Sequence, residues 1–435
     1  MKLAGIAAVV ACSLALAAPA LADTLLDNVN GVTVDETGKV VAFTGLIFDR
    51  DGVIEQVLHS GDKRPKKVDY RFDGAGRYVV PGIVDSHVAL MRIGYAALTG
   101  GRTNLPPPRP EDRDVALQKA QRLLAARGIT AVADMGTTIE DWQTYRRAGD
   151  KETLYIRIMA YAASVEDMAL IGGPGPTPWL YKDKLRLNGV FLRPAKSADR
   201  ATLKSPAMAP ETTQLRNLMS RAAIDSFQTA TAAPDQAAVE DVLDAIAELT
   251  PTYKGERRWR LEGLTAIDTA QAARAAGDQA VATFRFGALE QDAGGVGTDA
   301  AAIQPWQSVV RAGVKVAYAS GAQAAVPAPF ADMAMAITRE NAAGQPFGAQ
   351  EKLTREGALA AFTANGAFAG FAEGRFGRLA KGERADFVMI DRDPLLASPA
   401  DLRSARVIET WIGGARIYVA GQEEAQTFGE KMPGW

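Results

Sequence analysis

Between about residues 80 and 345 the chain alternates short apolar runs with amphipathic helical stretches, a pattern that few folds satisfy. The runs at 83–88, 130–134, 156–160, 190–193, 227–232, 259–264, 280–284 and 314–320 predict eight strands. Helical spacing separates them. In 113–127, Val115, Ala116, Lys119, Ala120, Leu123 and Leu124 recur on one side and Gly128 closes the end; in 236–249, Val239, Val242, Leu243 and Ile246 do the same. Eight strands alternating with helices predict an α/β fold, a TIM-like (β/α)8 barrel. A doubly wound sheet would place a glycine-rich turn after its first strand, and Asp85-Ser86-His87-Val88-Ala89 is not one.

Both flanks change period. Residues 31–34, 40–43, 45–48 and 53–57 are strand-like and separated by Asp, Gly and Asn turns. After a helical stretch at 354–371, a β pattern returns at 387–390, 407–412 and 415–419. The two ends therefore predict one small β-sandwich domain, with boundaries at 23–80 and 376–435 around a barrel at 81–375. Two Pro- and Gly-rich segments, 100–110 and 171–178, read as semi-rigid loops.

Residues 1–22 read as a leader: Lys2, an apolar run to Ala18, then Pro19-Ala20-Leu21-Ala22. Cleavage after Ala22 predicts a secreted or periplasmic protein with no membrane attachment afterwards. Two alternatives stand beside it, a retained anchor and lipid attachment through Val9-Val10-Ala11-Cys12. Cys12 is the chain's one cysteine, so the remaining chain has no thiol for a nucleophile or metal and no disulfide. The formal net charge of −2 gives no electrostatic footprint for nucleic acid. Histidine is nearly as scarce, with only His59 and His87.

Two motifs carry a resemblance. Tyr78-Val79-Val80-Pro81-Gly82-Ile83-Val84-Asp85-Ser86-His87-Val88 resembles the opening of the amidohydrolase superfamily, where Pro-Gly and an Asp-x-His-x-His run enter the first barrel strand. Leu353-Thr354-Arg355-Glu356-Gly357-Ala358-Leu359 through Phe362-Thr363, then Gly377-Arg378-Leu379-Ala380-Lys381-Gly382-Glu383-Arg384-Ala385-Asp386-Phe387-Val388-Met389-Ile390-Asp391, resembles its return, closest to the amidohydrolase-3 branch. The resemblance implies hydrolysis at C–N or related bonds by one or two divalent metals, held at the C-terminal ends of the strands and activating a water.

Position by position, this chain departs from that pattern. The second histidine of the His-x-His pair is Ala89, although i and i+2 on a strand share a face. Phe191, in Gly189-Val190-Phe191, stands where the branch carries a carboxylated lysine. Ala232 and Gly263 replace later histidines, and Ala319-Ser320-Gly321-Ala322 lacks the last aspartate. His59 lies outside the barrel, in a surface turn. No cofactor and no metal are expected.

His87 and Glu262 are the candidate catalytic groups; a hydrogen-bonded buried histidine and a structural ion pair are the competing readings. Asp134, Arg193 and Ser320 are candidates for lining the mouth. Asp85 reads as a group serving nearby backbone. Arg193, Lys196, Arg200 and Lys204 would favour an anionic ligand if they face the mouth. Ser320 has no histidine at a spacing that supports a Ser-His hydrolase. The expectation is a catalytically degenerate binding or scaffold protein, a pseudoenzyme, holding a small molecule in the barrel mouth. An active hydrolase with an unconventional site is the alternative; self-association, or pairing with a metal-complete paralogue, is the third.

Overall fold

In a computed structural model of the chain, residues 24–102, 109–194, 210–289, 303–340, 344 and 346–422 are described. The leader, Pro106 to Pro108, Lys196, Arg200 and Lys204 lie outside them.

The first strands are β1 (Thr24–Val34), β2 (Val40–Phe48), β3 (Ile54–Leu58), β4 (Tyr70–Asp73) and β5 (Tyr78–Pro81). The expected strands 40–43 and 45–48 are one continuous strand, β2. The irregularity belongs to its partner β1, which shifts register between Asp27 and Gly31 with Asn28 at φ 55°.

The barrel follows: β6 (Ile83–Val88), β7 (Ile129–Thr137), β8 (Arg157–Ala162), β9 (Leu185–Leu192), β10 (Gln228–Ala232), β11 (Arg260–Glu262), β12 (Val281–Phe284) and β13 (Lys315–Tyr318). Each of the eight predicted runs contributes one strand, and neighbours pair in parallel in chain order. The ends differ for local reasons. β11 stops at Glu262 because Gly263 takes φ +69°, and Arg193 falls just past β9 rather than within it. Gly189 is required by a close approach: a Cβ there would lie 1.7 Å from the Gln228 carbonyl oxygen on β10.

Backbone bonds join β6 to the turn after β13. Gly321 N–H donates to His87 O at 3.0 Å and Ala89 N–H to Ala322 O at 2.9 Å. Asp85 adds a side-chain tie, its Oδ1 accepting from the N–H groups of His87 (3.2 Å) and Ser320 (2.9 Å). It serves backbone, as its sequence context implies, and what it fastens is the seam of the barrel.

The predicted helix at 354–371 is two helices, Arg355–Phe362 and Ala364–Ala369. Thr363 at φ −133°, ψ −91° breaks them, its hydroxyl bonding the Leu359 carbonyl. The chain then returns through β14 (Phe387–Ile390), β15 (Val407–Ile412) and β16 (Ala415–Val419). The second sheet runs β16-β15-β14-β5-β1-β2-β3, with β4 beside β1, so both ends of the chain build it and meet at β5 and β14. It is one mixed sheet with its own core of Leu26, Phe43, Leu46, Phe48, Phe387, Met389 and Trp411, separate from the barrel's.

A buried ion pair fixes sheet to barrel. Arg157, at the start of β8, donates Nη2–H to Asp386 Oδ1 at 2.7 Å, and the same oxygen accepts from Gly413 N–H at 2.7 Å. The Ala-Asp step of the C-terminal motif thus has a structural cause: Asp386 receives a barrel arginine that is wholly buried.

Candidate functional site

The parallel strands all end at one face, where His87, Phe191, Glu262 and Ser320 come together. The sequence suggested His87 and Glu262 as separate candidates; the fold pairs them. His87 Nδ1 lies 2.8 Å from Glu262 Oε2 across 175 residues of chain. Glu262 is fully occupied: Oε1 accepts from Arg260 Nε–H at 2.7 Å, and Oε2 also accepts from the Thr283 hydroxyl at 2.9 Å. Burial alone would raise the Glu262 pKa. Arg260 beside it, with His87 and Thr283, outweighs that and holds the carboxyl below its ordinary value. An ionised Glu262 can only accept, so His87 Nδ1 carries the proton and Nε2 is left for the mouth.

Arg260 continues the network inward. As i and i+2 on β11, Arg260 and Glu262 share the interior face, and Arg260 is wholly buried. Its guanidinium donates to the Tyr161 hydroxyl at 2.8 Å and the Ser86 carbonyl at 2.6 Å. Tyr161 donates to Gln228 Oε1 at 2.6 Å, and Gln228 in turn bonds the carbonyls of Arg258 and Ala369. One chain of hydrogen bonds therefore runs from the floor of the barrel to His87, whose side chain keeps 17% exposure. Sequence reasoning did not find Tyr161, Gln228 or Thr283. The only available signal was polar residues within otherwise apolar strands.

At the implied metal positions the fold puts other groups. Phe191 is buried, its ring meeting His87 edge-on at 5.1 Å between centroids. Ala89 and Ala232 present methyl groups, Gly263 nothing, and Ser320 to Ala322 form the seam with β6. Among the described residues no group of three or more His, Cys, Asp and Glu side chains could hold a metal ion. The donor set fails chemically as well: one imidazole nitrogen and a carboxylate already saturated by Arg260, His87 and Thr283 do not fit a hydrolytic metal.

The remaining candidates have definite places. Asp134 is buried and satisfied, Oδ1 accepting from Leu90 N–H (2.8 Å) and Oδ2 from the hydroxyls of Thr137 (2.6 Å) and Tyr145 (2.9 Å). Burial raises its pKa against those bonds. Ser320 Oγ accepts from Ala322 N–H at 3.1 Å, a turn bond. Arg193 is exposed, its guanidinium resting 4.7 Å from the Phe191 ring centroid. His59 is in a surface turn, as expected, with Nδ1 on the Ala42 carbonyl. Of the predicted loop at 171–178, Ile171 and Gly172 instead close the helix Val165–Gly172, and the rest leads towards β9 at the opposite end from the mouth. Its Pro176 borders a small cavity beside Asn188 and Gln228.

Beside the His87 pair is a cavity of about 670 Å³, lined among others by Ala89, Arg92, Asp134, Phe191, Arg193 and Gln214. Phe191 is shared, lining the cavity while its ring abuts His87. The arrangement offers an apolar shelf crowned by Arg193, with a carboxylate-oriented imidazole behind it and, among the described residues, no nucleophile bonded to that imidazole.

The model of the amidohydrolase family matches residues 97–418. Among curated proteins, an N-substituted formamide deformylase of Arthrobacter pascens is 30% identical over 187 residues, 42% of this chain and 34% of that protein. An imidazolonepropionase of Stenotrophomonas maltophilia is 36% identical over 75 residues, 17% of this chain and 18% of that protein. The chain thus spans about a third or less of the curated relatives it matches. Among solved structures, an uncharacterized metal-dependent hydrolase of Pyrococcus horikoshii superposes with TM-score 0.71 at 16% identity, covering 87% of this chain and 99% of its own.

Proposed function

The chain belongs to the amidohydrolase family, and from that premise we propose that it is a member without the hydrolytic metal centre, a binding protein that holds a small molecule in the barrel mouth. The observation that carries this is Phe191. At the place where the family resemblance implies a metal-bridging lysine, an aromatic ring packs against the one remaining histidine. The same ring, with Arg193 over it, makes a shelf for a ligand that joins an acidic group to a flat or apolar part. Such a protein works by retention, and the export expected from its leader would place it outside the cytoplasm.

A second reading is favoured by the His87–Glu262 pair, which has the form of an oriented general base. On that reading the chain is a metal-independent hydrolase. Both are tested by assaying the purified chain on N-substituted formamides and other N-acyl amides, with and without added zinc. The proposal expects no turnover above buffer in either condition. Saturable turnover that disappears in His87→Ala would overturn it in favour of the second reading, and turnover that needs added zinc would overturn both.

A further inference from the structure

Away from the barrel mouth, a second groove of about 700 Å³ lies where the barrel meets the C-terminal strands. It is walled by the helix Pro110–Ala125, the first turn of the helix Pro329–Thr338, and β15 and β16. Its charge is one-sided. Lys119, Arg122, Arg127, Arg403 and Arg406 line it, with no Asp or Glu among the described lining residues. Lys119, Arg122, Leu123 and Ala126 sit at i, i+3, i+4 and i+7, so a single helix face delivers them.

Of these cations, Arg406 is bound to Asp391 at 2.9 Å. Among the described residues Lys119, Arg127 and Arg403 have no ion pair, in a chain whose overall balance is −2. The floor is apolar, built by Leu123, Phe330, Val407, Ile408 and Ile417. Like charges gathered over apolar surface repel one another and raise the energy of the free protein, and an anion relieves this. The volume is within the ~300–1,000 Å³ usual for small-molecule sites.

We infer that this groove is a second binding site, for an amphipathic organic anion: a phosphate or carboxylate held by Arg127, Arg403 and Lys119, with an aromatic or acyl body on the Leu123–Phe330–Ile408 floor. A ligand there contacts barrel and sheet together, so binding stabilises their junction.

The test titrates the full chain with 1-naphthyl phosphate, and separately with inorganic phosphate and with neutral 1-naphthol, by calorimetry and thermal shift. The expected result is saturable binding of 1-naphthyl phosphate with a raised Tm, at least about tenfold tighter than either fragment and weakened by salt. The variant Arg127→Ala/Arg403→Ala loses at least about tenfold of that affinity. Because the barrel-mouth shelf takes the same class of ligand, the titrations are repeated in Arg193→Ala, where the affinity of the groove is expected to stay the same. Arg127 and Arg403 are exposed, so the double variant has at least the wild-type Tm without ligand, which separates lost binding from lost fold. Absence of binding, equal affinity for 1-naphthol, or an affinity that falls in Arg193→Ala and not in Arg127→Ala/Arg403→Ala would overturn the inference.

Discussion

Glu262 is more than a partner for His87, because among the described residues it is the only carboxylate paired with the wholly buried Arg260. Removing it leaves the Arg260 guanidinium charged in the barrel with neutral partners alone. Glu262→Ala is therefore expected to cost about 3–5 kcal/mol in urea unfolding, the range for breaking a buried pair from one side. Replacing both, as Arg260→Met with Glu262→Leu, is expected to cost less than Glu262→Ala alone. A double variant less stable than the single one would show that the pair itself, and not the stranded charge, matters most. The scarcity of histidine was readable before any fold was known, and no alignment can supply histidines the chain lacks. The partnership of His87 with Glu262 was not readable. It depends on strands β6 and β11 facing each other across a barrel, and no periodicity encodes that.

Among the elements, the barrel strands were legible because each is an apolar run bounded by turn residues and flanked by a helix of 3.6 period. Strand ends were less so, because they are set by contacts such as the Gly263 conformation and the Ser320–Asp85 bond at the seam. Helix packing against the barrel also sets chemistry that sequence does not announce. Asp332, in the first turn of the helix Pro329–Thr338, is pushed up to about 6 by burial, against the Tyr318 hydroxyl that donates to it at 2.8 Å and with Asp85 adding to the rise. A carboxyl raised in the folded state holds its proton when the unfolded chain has released it. Its contribution to stability is thus full below about pH 4 and is lost as pH rises through 6. Asp332→Asn has no such titration. The Tm of the variant minus that of the wild type is expected to rise between pH 4 and 7; a flat difference would contradict the assignment.

At the scale of the whole molecule, sheet and barrel share a charge pair, Arg157 with Asp386, separated by 229 residues and buried at their junction. Asp386→Ala strands Arg157 and is expected to lower stability by about 3–5 kcal/mol, with barrel and sheet unfolding in one transition at a lower urea midpoint. A variant that unfolds at the wild-type midpoint would show that the pair does not hold the two together. The two-ended sheet was legible because the strand period returns at the C-terminus. The pairing of β5 with β14 at its centre was not, for it is a choice among equivalent strand edges. Central to the proposed function are the ligand positions of the family barrel, which hold Ala89, Phe191, Ala232 and Gly263. Elemental analysis of the purified full chain tests it most directly. Less than about 0.1 equivalent of zinc, iron, manganese or nickel per chain is expected; near-stoichiometric metal that resists chelation would overturn the proposed function.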